Sequence, residues 1–267
     1  MTGDTETGSV VLVGCGRLGS AIVEGWLATD TLDPRRLIIL TPSEKPVAEA
    51  ARLLGARINP PLNALAEARA VVLAVKPATW REAVAPLTKT LGPEAVIVSV
   101  MAGVRAEDLS GAFNGRAVAR VMPTTAVARG KGVAALWSGL PAARETARGL
   151  FGSLADVVDL DDEAQLDAAT AVAASAPAFV YAFVEALARA GVGQGLPPET
   201  AERLARGALR SAGAGADTGD ALAVLTSRIA SPGGTTRAGL DAMSATGALD
   251  RAAEAAVKAA VERAKAL

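Results

Sequence analysis

Two clusters of small residues in this chain carry groups that can do chemistry. GCGRLG runs from Gly14 to Gly19, and SPGGTT runs from Ser231 to Thr236. The first fits G-x-G-x-x-G, a pattern that brings a backbone close to phosphate. Gly14 permits a tight turn, Gly16 lets the chain approach a pyrophosphate, and Gly19 lets a helix pack near a strand. With Cys15, Arg17 and Leu18 between them, these residues form a candidate cofactor-binding turn. A purely structural strand-to-helix turn uses the same residues. Cys15 is either a small filler of that turn or a reactive thiol whose basic neighbour is Arg17. The second cluster offers backbone N–H groups and hydroxyls. It reads as an ordinary loop or as a small binding site.

What is missing narrows the chemistry. The chain has 267 residues, no histidine and one cysteine. A Ser-His-Asp triad, a histidine acid or base and His-ligated zinc are excluded, and no metal site is expected. The net charge of −1 gives no field for nucleic acid or an anionic membrane. A lone cysteine suits a reducing compartment. The N-terminus, MTGDTETGS, has no basic or apolar signal region. The most apolar segment, Ala171 to Val184, is too short to span a bilayer and contains Pro177. These features together indicate a soluble cytoplasmic protein.

The elements that would position the two clusters follow from periodicity. SVVLVG at Ser9 to Gly14, RLIIL at Arg36 to Leu40, and AVVLAVKP at Ala70 to Pro77 read as strands. AVIVSVMAG at Ala95 to Gly103 and AVARVMP at Ala117 to Pro123 continue the series. Lys45 to Gly55 reads as a helix ending on glycine, and Thr79 with Glu82 as a capping box opening another. Strands alternating with helices imply a parallel sheet, so GCGRLG follows a strand and opens a helix, as a dinucleotide fingerprint requires. VAALWS and VVDL, near 133–138 and 157–160, are candidates to extend the sheet. From Asp161 onward the strand signal ends, and Asp161 or Asp162 can cap a long helix. Its middle is apolar nearly all round, which calls for cover on every side, and a partner subunit is the natural cover. The expected domains are 9–160 and 161–267.

Ligands bind at the carboxyl ends of parallel strands. The second strand ends in Thr41-Pro42-Ser43-Glu44-Lys45. Thr41 stands where an NAD site carries a carboxylate, Ser43 can donate to a 2′-phosphate, and Lys45 adds a cation. That favours NADPH, with NADH left open by Glu44. The same residues also make a turn and N-cap. Ala74-Val75-Lys76-Pro77, Met101-Ala102-Gly103 and Met122-Pro123-Thr124 end three further strands and are candidate cofactor contacts. Lys76 reads equally as a solvated lysine at a loop start.

Together these landmarks resemble the pyrroline-5-carboxylate reductase family. GCGRLG-S-A-I looks like its G-x-G-x-M-G-x-A-I, AVKP like its V-K-P strand end, and MPTTA like its M-P-N-T-P. TAVAASAPAF stands where the family reads T-A-x-S-G-S-G-P-A-Y, and ARAGVGQGLP is similar to the helix end and turn that follow. SPGGTT is the family's S-P-G-G-T-T. The resemblance runs from about residue 9 to the C-terminus. It implies an α/β fold: an N-terminal Rossmann-type parallel-sheet domain, then an all-α C-terminal dimerisation domain. It implies reduction of the cyclic imine 1-pyrroline-5-carboxylate to L-proline with NADPH or NADH. It also implies a homodimer interleaving the helical domains, with decamers in some members. By resemblance, Ser231, Gly233, Gly234 and Thr235 hold the substrate carboxylate, and Thr236 directs its hydroxyl to the ring nitrogen. On its residues alone, the same loop is good helix-capping chemistry. Histidine is not needed here, because a protonated cyclic imine is already electrophilic and the enzyme need only orient it.

The chain departs from the pattern in places. Ala173, Ala174 and Ala176 replace a serine and two glycines around Ser175 and Pro177, and Phe179 replaces a tyrosine. Thr124 replaces an asparagine, and Arg17-Leu18 replaces x-Met. A reductase of another cyclic imino acid, including a six-membered ring, is the first alternative. A dinucleotide-binding regulatory protein without turnover is the second. A dehydrogenase with a catalytic lysine in its helical domain fits poorly, since the lysines after Asp161 are Lys258 and Lys265, both in the last helix.

Overall fold

A computed structural model describes residues 8–266. Eight strands form one sheet: β1 Ser9–Val13, β2 Leu37–Leu40, β3 Arg57–Ile58, β4 Ala68–Leu73, β5 Val96–Ser99, β6 Val118–Pro123, β7 Gly132–Trp137 and β8 Ala155–Asp159. Their order is β3-β2-β1-β4-β5-β6-β7-β8, and the first six run parallel. This is the doubly wound order with its crevice at the switch between β1 and β4. The helices of this part are α1 Arg17–Ala28, α2 Pro46–Leu53, α3 Trp80–Val84, α4 Ala106–Ala112 and α5 Pro141–Phe151.

The centre of the sheet forms because its strands are largely apolar on both faces, while the edge strands β3 and β8 are partly exposed. All five residues of β1 are buried. Val10 and Leu12 join the core on one side of the sheet, with Trp26 of α1 and Phe151 of α5. Val11 and Val13 join the core on the other, with Trp80 and Phe113. Trp26 is fully buried, and its Nε1 donates to the Leu150 carbonyl at 2.8 Å.

The two candidate strands near the end of this part do extend the sheet, but β7 runs antiparallel to β6. A 3-10 turn over Thr125–Arg129 joins them. So short a link cannot carry the chain back across the sheet, and a reversal follows. The two-residue β3 lies outside every strand the sequence suggests. The expected capping box at Thr79 and Glu82 is not formed. Thr79 closes a 3-10 turn begun at Pro77, with φ −121° and ψ 7°, and its side chain makes no cap bond. Its hydroxyl turns back to the Lys76 carbonyl at 3.4 Å.

After β8, Asp162 does cap the chain, accepting from the Ala164 N–H while Gln165 reaches back to the Asp162 N–H. A 3-10 turn over Glu163–Gln165, α6 Leu166–Ala169, a π-helical turn over Thr170–Ser175 and α7 Ala176–Gly193 then follow without a break. The apolar segment is therefore part of a helix of 31 residues, Glu163–Gly193, with mean hydropathy 1.6 in its most apolar window. Length and composition alone would let it cross a membrane, which corrects the reading of Ala171 to Val184 as too short.

The chain divides into two compact units. One contains the sheet and runs to Ala174, with the chain from Ala260 added; the other is Ser175–Ala259. The second holds α7, α8 Pro198–Ala216, α9 Leu222–Ile229, α10 Thr235–Ser244 and most of α11 Ala248–Lys265. Within it α7 packs chiefly on α8. No residue of α7, α9 or α10 is buried.

Candidate active site

Strand register sets the candidate cofactor edge. Val13 pairs with Leu40 on one side and Leu73 on the other, and Leu73 pairs with Ser99. The ends of β2, β1, β4 and β5 therefore lie along one edge. From β2 to β5 is three strand spacings, about 14 Å at ~4.8 Å each.

The glycine turn sits in the middle of that edge. Gly14 has φ +95°, and a Cβ there would lie 2.7 Å from the Ala74 carbonyl oxygen. A Cβ on Gly19 would lie 2.2 Å from the Gly14 oxygen, so the first turn of α1 rests on the loop itself. A Cβ on Gly16 would meet nothing within 4 Å. Gly14 and Gly19 are thus required by the protein's own packing, and Gly16 faces open space. Gly16 is the N-cap of α1 and supplies no side chain, so the first-turn N–H groups point outward unpaired by a cap. That is a cradle for phosphate oxygens, and the dinucleotide fits the residues present. Arg17 is exposed beside it and Leu18 is half-buried against the core. Cys15 is 2% exposed and shares a 3.6 Å contact with Ser20 Oγ. Burial pushes its thiol up, so it stays protonated at neutral pH and behaves as a filler.

At the β2 end an open cavity of about 880 Å³ is lined by Thr41, Ser43, Lys45, Arg52 and Asn59. The Thr41 hydroxyl donates to the Ser43 carbonyl at 3.0 Å. Asn59 holds the Thr41 peptide from both sides: its Oδ1 accepts the Thr41 N–H at 2.9 Å, and its Nδ2 donates to the Thr41 carbonyl at 2.8 Å. Asn59 follows the two-residue β3 and has φ +45°. Nothing in the sequence around it marks this clamp. Arg52 forks onto Glu49 at 2.6 and 2.8 Å. Hydrogen bonds from Arg52 hold the Glu49 carboxyl below the usual range.

The remaining candidates divide by exposure. Ala74, Val75 and Pro77 are half-buried at the β4 end, and Lys76 is exposed. Met101 is buried, Ala102 half-buried, and Gly103 exposed with φ +73°. Met122 and Pro123 are buried. Thr124 spends its polar groups on strand pairing: its N–H donates to Val133 O at 3.0 Å, and its Oγ1 accepts the Val133 N–H at 3.3 Å.

SPGGTT lies in the second unit. Gly233 has φ +70°, and Gly234 is the N-cap of α10 with no side-chain cap bond. The Gly234 N–H donates to the Ser231 carbonyl at 3.1 Å. A Cβ on Gly234 would lie 2.6 Å from Ser231 Oγ, a contact that rotation of the exposed hydroxyl relieves. No hydroxyl of the cluster caps the helix, and its first N–H groups stay available to an anion. Thr235 is exposed and Thr236 half-buried in the first turn.

Comparison with known proteins bears on both units. Residues 163–267 match the family model described as pyrroline-5-carboxylate reductase dimerisation. Residues 9–103 match one described as NADP oxidoreductase, coenzyme F420-dependent. The chain is 36% identical to the pyrroline-5-carboxylate reductase of Thermus thermophilus over 272 residues, covering 96% of this chain and 95% of that one. A structure of a pyrroline-5-carboxylate reductase from Coxiella burnetii superposes with a TM-score of 0.87 at 26% identity, covering 97% of this chain and 98% of that one. The pyrroline carboxylate reductase of Plasmodium falciparum, solved with NADP bound, has the same fold, with a TM-score of 0.80 at 24% identity over 98% of each chain.

Proposed function

The chain belongs to the pyrroline-5-carboxylate reductase family, and from that premise we propose how its own residues carry the reaction. It is an oxidoreductase of proline biosynthesis that reduces 1-pyrroline-5-carboxylate to L-proline with NAD(P)H as cofactor. The reduced nicotinamide supplies the hydride. Everything else asked of the protein is binding and orientation.

The cofactor reading assigns the pyrophosphate to the turn Gly14 to Gly19, where the open space over Gly16 and the uncapped start of α1 support it. Thr41, Ser43 and Lys45 would take the adenosine end, with Asn59 holding the loop in shape. Ala74 to Pro77, Met101 to Gly103 and Met122 to Thr124 would border the rest of the cofactor. The substrate reading rests on one observation: α10 begins at a glycine cap with no hydroxyl spent on it. Ser231, Gly233, Gly234 and Thr235 would hold the carboxylate with N–H groups, and Thr236 would hydrogen-bond the ring nitrogen. The hydroxyl orients the imine and stabilises the amine as it forms; it does not act as a strong acid.

The region matched by the dimerisation model makes this an oligomer-forming chain. We infer a homodimer built on α7, where Phe179, Tyr181 and Phe183 are exposed in the single chain. A decamer of such dimers is the larger assembly we infer. Glu185 and Arg189 within α7 favour a protein partner over lipid for that helix. With one cysteine and this chemistry, we place the enzyme in the cytoplasm. We keep 9–160 and 161–267 as its functional domains, although the sheet-containing compact unit extends to Ala174 and takes in the last residues of α11.

The test is consumption of NADPH and of NADH by purified protein with 1-pyrroline-5-carboxylate and with a six-membered analogue. Turnover is expected with the five-membered ring, and Thr236→Ala is expected to lower kcat/KM about a hundredfold, the usual effect of deleting one oriented donor. A Thr236→Ala enzyme with unchanged kcat/KM would remove that residue from the site.

A further inference from the structure

Arg120 is a charged residue inside an apolar strand, VARVMP, and is 4% exposed. Its Nη1 donates to Glu163 Oε1 at 2.8 Å, and its Nη2 reaches the Met101 carbonyl at 3.4 Å. The same Glu163 oxygen accepts the Ala106 N–H at 2.7 Å. Ala106 opens α4, whose N-cap residue, Arg105, makes no side-chain cap, so Glu163 supplies from a distance the anion that helix start favours. Arg120 Nε is buried with no hydrogen-bond partner among the described residues.

Such a pair is a poor investment in stability. Desolvation of a buried guanidinium and a half-buried carboxylate offsets most of their attraction, and well-packed apolar residues often hold the same volume as well or better. The unpartnered Nε adds to the cost. Apolar residues, however, cannot bond two backbone groups at once. Those two groups, the Met101 carbonyl and the Ala106 N–H, bracket the loop that follows β5. Met101 and Val104 pack into the core beneath the loop, while between them Ala102 is half-buried and Gly103 is exposed with φ +73°, so the two polar anchors fix the backbone stretch that core packing leaves free.

The loop lies three strands from the Thr41 to Lys45 turn, at the other end of the cofactor edge. We propose that Arg120 and Glu163 are positioning residues for the nicotinamide half of the cofactor, fixing the Met101 to Gly103 backbone assigned to that half. This rests on the reading of the edge as the NADPH site. Neither residue belongs to the glycine turn, the adenosine end or the SPGGTT loop.

The experiment compares two ligands on the full-length protein: NADPH, and adenosine 2′,5′-bisphosphate, which carries only the adenosine end. The double variant Arg120→Met with Glu163→Leu removes both charges, so the local net charge is unchanged. It is expected to melt within about 3 °C of the parent, to bind the bisphosphate within about twofold, and to bind NADPH at least tenfold more weakly. Arg120→Lys is the second variant. Its single ammonium keeps the ion pair but replaces the two nitrogens that reach Glu163 and Met101 separately with one point donor, and the same ligand split is expected at about fivefold. Glu163→Gln keeps an acceptor for Ala106 and should bind NADPH within about threefold of the parent. Equal weakening of both ligands in the first two variants would make the pair merely structural and overturn the proposal, as would unchanged NADPH binding. Parent protein that binds NADPH but never reduces the imine would sink the activity reading alone, and the ligand split would still decide this one.

Discussion

β1 and α7 are both apolar runs, and the chain treats them oppositely. Every residue of β1 is buried, split between two cores on either face of the sheet. None of the 18 residues of α7 is buried, and Tyr181, Phe183 and Leu187 stand 60%, 46% and 47% exposed. The sheet's pattern is answered inside its own unit. The helix presents a pattern whose answer is not in the same unit. Fully burying one such side chain contributes about 1.5–3 kcal/mol. A few together rival the whole net stability of a domain, about 5–15 kcal/mol. A protein does not leave that exposed, which is the physical content of the dimer proposed above.

The largest expected effect breaks the open side of the contrast. Phe183→Asp places an unpaired carboxylate where an interface would be dry, at a cost of about 3–5 kcal/mol. Sedimentation should show a monomer at concentrations where the parent is dimeric. An unchanged assembly would mean α7 is covered in some other way. The next breaks the closed side. Gly19→Ala must push backbone from backbone at a 2.2 Å approach and should weaken NADPH binding on the order of a hundredfold, with a lower Tm. Gly16→Ala meets nothing within 4 Å, so its Tm should hold while NADPH affinity falls about tenfold. If Gly16→Ala binds normally, the space above the turn is not the cofactor's. Smaller again is Lys45→Ala, which should lower kcat/KM with NADPH about fivefold relative to kcat/KM with NADH through loss of one cation.

The contrast also explains what could be seen in the sequence. β1, β2, β4 and β5 were legible because a strand buried on both faces writes itself as a nearly continuous apolar run, and β6 was legible although Arg120 interrupts its run. The glycine turn was legible because Gly14 and Gly19 answer local steric demands. α7 was legible as a helix needing cover, and the structure leaves it bare in the single chain. Contacts made across long sequence distances were not legible. Asn59 clamps Thr41 from 18 residues away, and Glu163 meets Arg120 from 43 away. Neither residue type nor spacing announces such a pair. The direction of β7 depends on the length of one short turn, which hydrophobic periodicity does not report. For SPGGTT the sequence left capping and binding open, and the cap falls to Gly234 rather than to a hydroxyl, which is compatible with either reading.

The finest test sets two capping motifs of similar appearance against each other. Thr79 with Glu82 and Asp162 with Gln165 both read as a cap followed three residues later by a longer polar partner. An N-cap works only if its backbone is extended, so that the side chain can fold back onto the helix N–H groups. Asp162 has φ −130° and ψ 137° and makes both bonds of the box. Thr79 has already been turned into a 3-10 conformation by Pro77, and its hydroxyl faces backwards to Lys76. Asp162→Ala should therefore cost about 1 kcal/mol in denaturant unfolding, whereas Thr79→Ala should stay within about 0.5 kcal/mol of the parent. Equal losses would mean that the hydroxyl of Thr79 caps α3 in solution after all. A loss at Asp162 alone would show that local backbone, more than residue spacing, decides which of two matching motifs is real.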